Sequence, residues 1–146
     1  MIKKILVPYD GSSLSKKALE LAKDIARNFN ADLALFMVIP AYYQINYSTF
    51  SVSSKDYKRL INVLKEQAEK KIGSITQRCR EEGVKASYKV VSGDVSDAII
   101  KEAKRTGVDL IIMGSRRMTG ISTIKRLGST ARHVSEHATS PVTIVH

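Results

Sequence analysis

The sequence predicts an open, doubly wound α/β fold on a mostly parallel sheet. Short apolar runs alternate with amphipathic stretches of helical period along all 146 residues. The breaks between them carry cap and turn residues at strand–helix and helix–strand junctions. No two-residue hairpin signal joins one apolar run to the next. The order is therefore β-α-β-α-β-α-β-α-β, and right-handed crossovers place helices on both faces of the sheet.

Each element has its own signal. Residues 3–8 are an apolar run that suits a buried parallel strand. Asp10-Gly11-Ser12-Ser13 supplies turn and N-cap chemistry. Leu14, Ala18, Leu21, Ala22, Ile25 and Phe29 then recur at helical spacing, and Asn30 stands where a C-cap is expected. Ala31 to Ile39 form a second strand, ended by Pro40. Residues 41–53 make a long polar and aromatic loop carrying Tyr42, Tyr43, Tyr47 and Phe50, a length associated with function or motion. A second helix shows Tyr57, Leu60, Ile61, Leu64, Ala68, Ile72 and Ile75 on one stripe and stops near Glu82-Gly83.

Lys85 to Val91 form the third strand, and Ser92-Gly93-Asp94 turns into a third helix containing Ala98, Ile99 and Ala103. Gly107 ends it. Residues 108–113 are the fourth strand. Ser129 and Thr130 are N-cap types opening a last helix through His137, and 141–145 form the fifth strand. No internal repeat interrupts this order, so 1–146 reads as one domain.

Composition narrows the function classes. An apolar fraction of 43% supports a folded core. No apolar run approaches the roughly 20 residues that cross a bilayer. Met1 to Pro8 is too short and wrongly patterned for a signal peptide, so a cytoplasmic protein without membrane contact is expected. One cysteine, Cys79, excludes an intrachain disulfide; it reads as a small helix residue, with a redox thiol as the alternative. The net charge of +10 suits anionic partners. Lys16, Lys17 and Lys23 fall on polar helix faces, however, and no basic run interleaves with aromatics. Solvated helix faces explain the charge better than a nucleic-acid surface.

The chemistry concentrates between the fourth strand and the last helix. Met113-Gly114-Ser115-Arg116-Arg117-Met118-Thr119-Gly120 leaves the strand, and Leu127-Gly128-Ser129-Thr130 enters the helix. Such a turn gathers backbone N–H groups on an anion. Arg116, Arg117, Lys125 and Arg126 crowd it, which suggests a phosphate-bearing ligand. A Walker loop is excluded, because Gly114 and Gly120 are separated by five residues and Ile121 holds the lysine position. A dinucleotide fingerprint fails at Tyr9-Asp10-Gly11-Ser12-Ser13. His133 and His137 lie four apart on one helix face, but nothing in sequence completes a metal site. No catalytic triad can be assembled.

The ordered set of marks resembles the universal stress protein family over essentially the whole chain. The marks are Ile5-Leu6-Val7-Pro8-Tyr9-Asp10-Gly11-Ser12, Phe36-Met37-Val38-Ile39, Gly93-Asp94-Val95-Ser96, the run Val108 to Arg116, Leu127-Gly128-Ser129, and Ser140 to Val145. The resemblance implies a five-stranded parallel sheet in the order 3-2-1-4-5 with four flanking helices, a Rossmann-like fold of the adenine nucleotide alpha hydrolase type. It also implies a homodimer paired through the last strand, here 141–145, and a stress-response role. One branch of the family binds ATP and is marked by G-x2-G-x9-G-[ST]; another does not. Carried across, Pro8, Tyr9 and Asp10 sit beside adenine or ribose, and Val38 offers backbone groups to the base. Met113 and Gly114 floor the ribose. Gly128, Ser129 and Thr130 meet the phosphates, with Mg²⁺ accompanying them.

This chain departs from that motif. Arg117 holds the second glycine position, and ten residues rather than nine separate it from Gly128. Arg117 and Arg116 either narrow the phosphate channel or clamp a phosphate, and Gly120 restores some backbone freedom. ATP, ADP, AMP or no nucleotide all stay open. Three functions follow: a nucleotide-binding stress or signalling dimer, a nucleotide-independent dimeric interaction protein, or a slow ATPase. The enzyme reading ranks last, because Asp10 is the only acid placed near the phosphates and it faces the base.

Overall fold

The computed structural model describes residues 1–40, 53–115 and 127–146. Its strands are β1 (Lys4–Pro8), β2 (Asp32–Pro40), β3 (Ala86–Gly93), β4 (Leu110–Gly114) and β5 (Val142–Val145). They pair in the order β3-β2-β1-β4-β5, and every pairing is parallel. Between them run α1 (Ser13–Phe29), α2 (Ser54–Glu81), α3 (Val95–Thr106) and α4 (Ser129–His137). The aromatic loop residues Tyr42, Tyr43, Tyr47 and Phe50 lie outside the described residues, as do Lys125 and Arg126.

Strand alternation builds two cores, one on each face of the sheet. Ile5, Val7, Leu33, Leu35 and Ile112 face α1 and α2. Leu6, Phe36, Ile111 and Met113 face α3 and α4. The chain moves outward from β1 to β3, then returns to the other side of β1 as β4. That reversal opens a crevice at the carboxyl ends of β1 and β4.

The helix ends follow local chemistry. Ser12, Ser53 and Asp94 cap α1, α2 and α3, each accepting from the backbone N–H three residues on. Asn30 closes α1 at φ 51°, a left-handed conformation that asparagine tolerates.

The buried face of α1 differs from the expected stripe. Ala18, Leu19, Ala22 and Ala26 are buried, whereas Leu21 and Phe29 are exposed. Small residues let the helix approach the sheet closely, so the contact line passes through the alanines. In α2, Leu60 is likewise exposed, while Ile72 is fully buried. Cys79 packs in that core, and burial above all pushes its thiol pKa up. This is the environment of an inert structural cysteine, against the redox reading.

An ion cluster ties α3 to β3. Buried Glu102 accepts from Arg105 Nη2 at 2.7 Å and Nε at 3.0 Å, and from Lys89 Nζ at 2.9 Å. The Arg105 hydrogen bonds first, and Lys89 next, hold its carboxyl below the usual carboxylate range. A depressed native pKa contributes stability above the unfolded value of about 4.3 and loses it as pH falls through the lowered native value. Glu102→Gln is expected to cost about 1 kcal/mol at neutral pH, since both cations are half-exposed. Urea unfolding of both proteins at neutral pH and near pH 3 checks this, and the difference is expected to shrink in acid.

Candidate functional site

The crevice is a cleft of about 870 Å³, which lies within the usual range for small-molecule sites. Pro8, Tyr9 and Asp10 line it from the end of β1, Val38 from β2, and Met113 and Gly114 from β4. Ser129 and Thr130 line it from α4. The fold thus brings together eight residues that sequence reasoning assigned to one ligand. Gly128 is buried behind the first turn of α4 and is not part of the lining. Arg116, Arg117 and Gly120 lie outside the described residues.

On the β1 side, the turn is set by hydrogen bonds within it. Ser12 N–H donates to Asp10 Oδ1 at 2.9 Å, and Ser12 Oγ accepts from Ser15 N–H at 3.2 Å. Gly11 takes φ +83° between them, a conformation that glycine adopts without strain. The Tyr9 phenol is raised in pKa, chiefly by burial and then by Asp10, so it stays protonated.

The β2 wall presents backbone. Leu33 N–H donates to Lys85 O on the β3 side, whereas Phe36 O accepts from Tyr9 N–H on the β1 side. Consecutive residues of a central strand alternate sides, so Val38 faces the same way as Phe36. The β1–β2 ladder ends at the Pro8–Phe36 pair. Val38 therefore turns its N–H and C=O past the end of β1, and no backbone group of the described residues meets them there.

The α4 wall presents N–H groups. The cap is Gly128, at φ −60° and ψ 153°, rather than Ser129 or Thr130. Those two already belong to the first helical turn, because only Gly128 keeps the extended conformation a cap needs. Glycine supplies no capping side chain, so among the described residues no cap side chain meets the donors of the first turn.

Sequence reasoning missed the third wall. Asp94, Val95, Ser96 and Ile99 of α3 line the same cleft, with His133 of α4 beside them. A strand-to-helix turn after every parallel strand falls on this edge, so Gly93-Asp94 was the available signal. Asp94 accepts from Asp97 N–H at 2.9 Å and Ser96 Oγ at 3.1 Å. The Asp97 N–H foremost, then the Ser96 hydroxyl and the His133 charge, hold its carboxyl below the usual range. His133 and His137 stack with ring centroids 4.3 Å apart. Among the described residues, no group of three or more His, Cys, Asp or Glu side chains could hold a metal ion, and no helix is long and apolar enough to cross a membrane.

The family model described as the universal stress protein family matches residues 1–146. The chain belongs to that family. Universal stress protein YxiE of Bacillus subtilis is 32% identical over 151 residues, covering 99% of each chain. The solved structure of MJ0577, a universal stress protein of Methanocaldococcus jannaschii, superposes with a TM-score of 0.83 at 32% identity. That match covers 99% of this chain and 96% of MJ0577. Two more distant universal stress proteins share the fold. One, from Arabidopsis thaliana and solved with AMP bound, has a TM-score of 0.69 at 22% identity over 98% of this chain and 90% of its own. The other, in complex with cAMP, has a TM-score of 0.70 at 24% identity over 99% of this chain and 97% of its own.

Proposed function

We propose that this universal stress protein binds an adenine nucleotide in the cleft and acts as a dimeric stress or signalling module. One observation carries the reading: Val38 offers an adjacent N–H donor and C=O acceptor at a cleft edge where β1 has ended. Adenine presents an acceptor at N1 beside a donor at N6, which such a pair complements. The apolar side chains Pro8, Pro40 and Val95 suit a flat ring. The first turn of α4, which no cap side chain meets, suits phosphate. Family members solved with AMP and with cAMP support the same ligand class.

The test is mass spectrometry of whatever the denatured protein releases, with calorimetric titration of ATP, ADP and AMP in the presence of Mg²⁺. The expected result is released adenine nucleotide or micromolar binding of at least one of the three. An empty protein that binds none overturns the reading in favour of a nucleotide-independent interaction protein. Arg117→Gly then shows what the arginine does: a gain in ATP affinity marks an obstacle, and a loss marks a clamp.

The homodimer belongs to the same proposal. β5 is an edge strand, and an edge is a template for pairing. Ile111 N–H donates to Pro141 O, and Ser115 N–H donates to Val145 O. Odd-numbered residues of β5 thus face β4, and Val142 and Ile144 turn their backbone groups to the open edge. Ile144→Pro removes an outward donor without removing a β4–β5 hydrogen bond. Light scattering is expected to show a dimer for the wild type and a shift toward monomer for Ile144→Pro, with Ile144→Val still dimeric.

A further inference from the structure

A second concavity lies at the opposite end of the sheet from the cleft. Its volume is about 440 Å³, within the usual range for small-molecule sites. The openings of β1, β2 and β3 form its base, and the last turns of α3 form one wall. Leu6 pairs with Ala34, and Ala34 with Ser87, so the three stand in a row on one sheet face. Phe36 and Lys89 form the next pair along on that face. Leu6 and Phe36 belong to the core beneath α3, whereas Ser87 is exposed, so α3 leaves the start of β3 uncovered.

The rim of this groove is basic. Among the described residues, Lys4, Lys85, Lys89 and Arg105 line it against Asp32 and Glu102. Residues 41–52 and 116–126 contain no Asp or Glu, so no acid side chain outside the described residues reduces that excess of cations. The cations are also held in place. Glu102, with a side chain only 10% exposed, pairs with Lys89 Nζ at 2.9 Å and with Arg105 Nη2 at 2.7 Å. Lys4 Nζ donates to Thr106 O at 3.1 Å, at the end of α3. These bonds use only part of the donors that an ammonium or a guanidinium carries. The Lys89 and Arg105 side chains stay 46% and 58% exposed, which keeps the remaining donors open to an entering group.

We propose that this groove is a second ligand site that takes a small amphipathic anion. A carboxylate or phosphate head meets the basic rim, and a short apolar body lies on Leu6, Ala34 and Phe36. Charge complementarity selects the head, because charge-assisted hydrogen bonds from the rim are stronger than neutral ones. The apolar floor selects the body, since covering it removes apolar surface from water. Anchoring by Glu102 matters, because cations that are already fixed lose less freedom when an anion arrives. Among the described residues, the groove shares no charged residue with the cleft at the carboxyl ends. The inference therefore stands whether or not that cleft binds a nucleotide.

The test is amide-resolved NMR titration with hexanoate and hexyl phosphate, using 1-hexanol as the body alone and acetate as the head alone. Both anions are expected to give saturable shifts in residues 32–36, 85–89 and 102–106, away from the cleft. The tighter of the two identifies the headgroup. Lys89→Gln is expected to weaken both by about tenfold, the loss of one charge-assisted hydrogen bond. Ser87→Phe fills the groove from its exposed edge and is expected to abolish the shifts. Lys85→Gln, an exposed position outside the Glu102 cluster, is expected to weaken both anions several-fold and keeps the charge test independent of that cluster. Hexanol and acetate should each bind about tenfold more weakly than hexanoate. The absence of saturable shifts in those segments for both anions would overturn the proposal. So would unchanged affinities in all three variants, or hexanol binding as tightly as hexanoate, which would leave the charged rim without a role.

Discussion

Gly114→Ala is expected to lower the melting temperature by roughly 2–12 °C and to abolish ligand binding in the cleft. A Cβ on Gly114 would lie 2.7 Å from the Leu14 carbonyl carbon, 2.8 Å from Leu14 Cβ and 2.9 Å from Ser15 N. Two of these are backbone atoms of the first turn of α1, which no rotamer change can move. Either β4 or α1 must shift, and overpacking of this kind costs about 1–3 kcal/mol. For a chain of this length each kcal/mol lowers the melting temperature by about 2–4 °C. Binding suffers beyond stability, because Gly114, Leu14 and Ser15 all line the cleft. Thermal unfolding followed by circular dichroism measures the first effect, and calorimetry below the transition measures the second. A variant that melts within about a degree of wild type would show that α1 is free to move away.

Ser129→Glu is expected to leave the fold intact while weakening ATP binding by about a hundredfold. Ser129 is exposed, lines the cleft and begins α4 beyond a glycine cap that satisfies none of the first-turn donors. A carboxylate there meets the positive end of the helix dipole, which stabilises by about 0.3–1 kcal/mol. The same carboxylate occupies the place proposed for a phosphate and repels one nearby. At an effective dielectric of about 20, like charges 4 Å apart repel by about 4 kcal/mol, and water access reduces this to roughly 2–3 kcal/mol. The loss should grow from AMP to ATP and be absent for adenosine. Ser129→Gln, similar in size and uncharged, should lose much less. Melting temperature and calorimetry on the same samples separate the two effects. An equal loss for adenosine would show that the side chain blocks the cleft by bulk rather than by charge.

Much of the fold was legible because its signals are local. Ser12, Asp94, Asn30 and Gly107 end or begin helices through their own side chains or backbone freedom, and each takes that place in the structure. The strand order 3-2-1-4-5 came from the family resemblance, since parallel pairing joins distant segments and leaves no hairpin to read. The stripe on α1 was legible only as a period. A helical repeat marks an apolar arc, but which edge of the arc meets the sheet depends on the helix–sheet distance. That distance let the alanines in and left Leu21 and Phe29 outside.

By itself, then, the sequence determined that strands and helices alternate, where most of them end, and that a glycine-rich turn stands before the last helix. Only the tertiary structure decided what faces what. The β1–β2 ladder stops two residues short of Val38, and that register frees a backbone donor and acceptor no side-chain pattern encodes. α3 and α4 meet so that Asp94 and His133 share a cleft with Asp10, although more than eighty positions separate Asp10 from the other two in the chain. Gly114 is tied to Leu14 by the close approach of α1, a constraint imposed by packing rather than by any turn. Local propensity acts over a few neighbouring residues, whereas a cleft is made by loops that meet only after the sheet has set their positions.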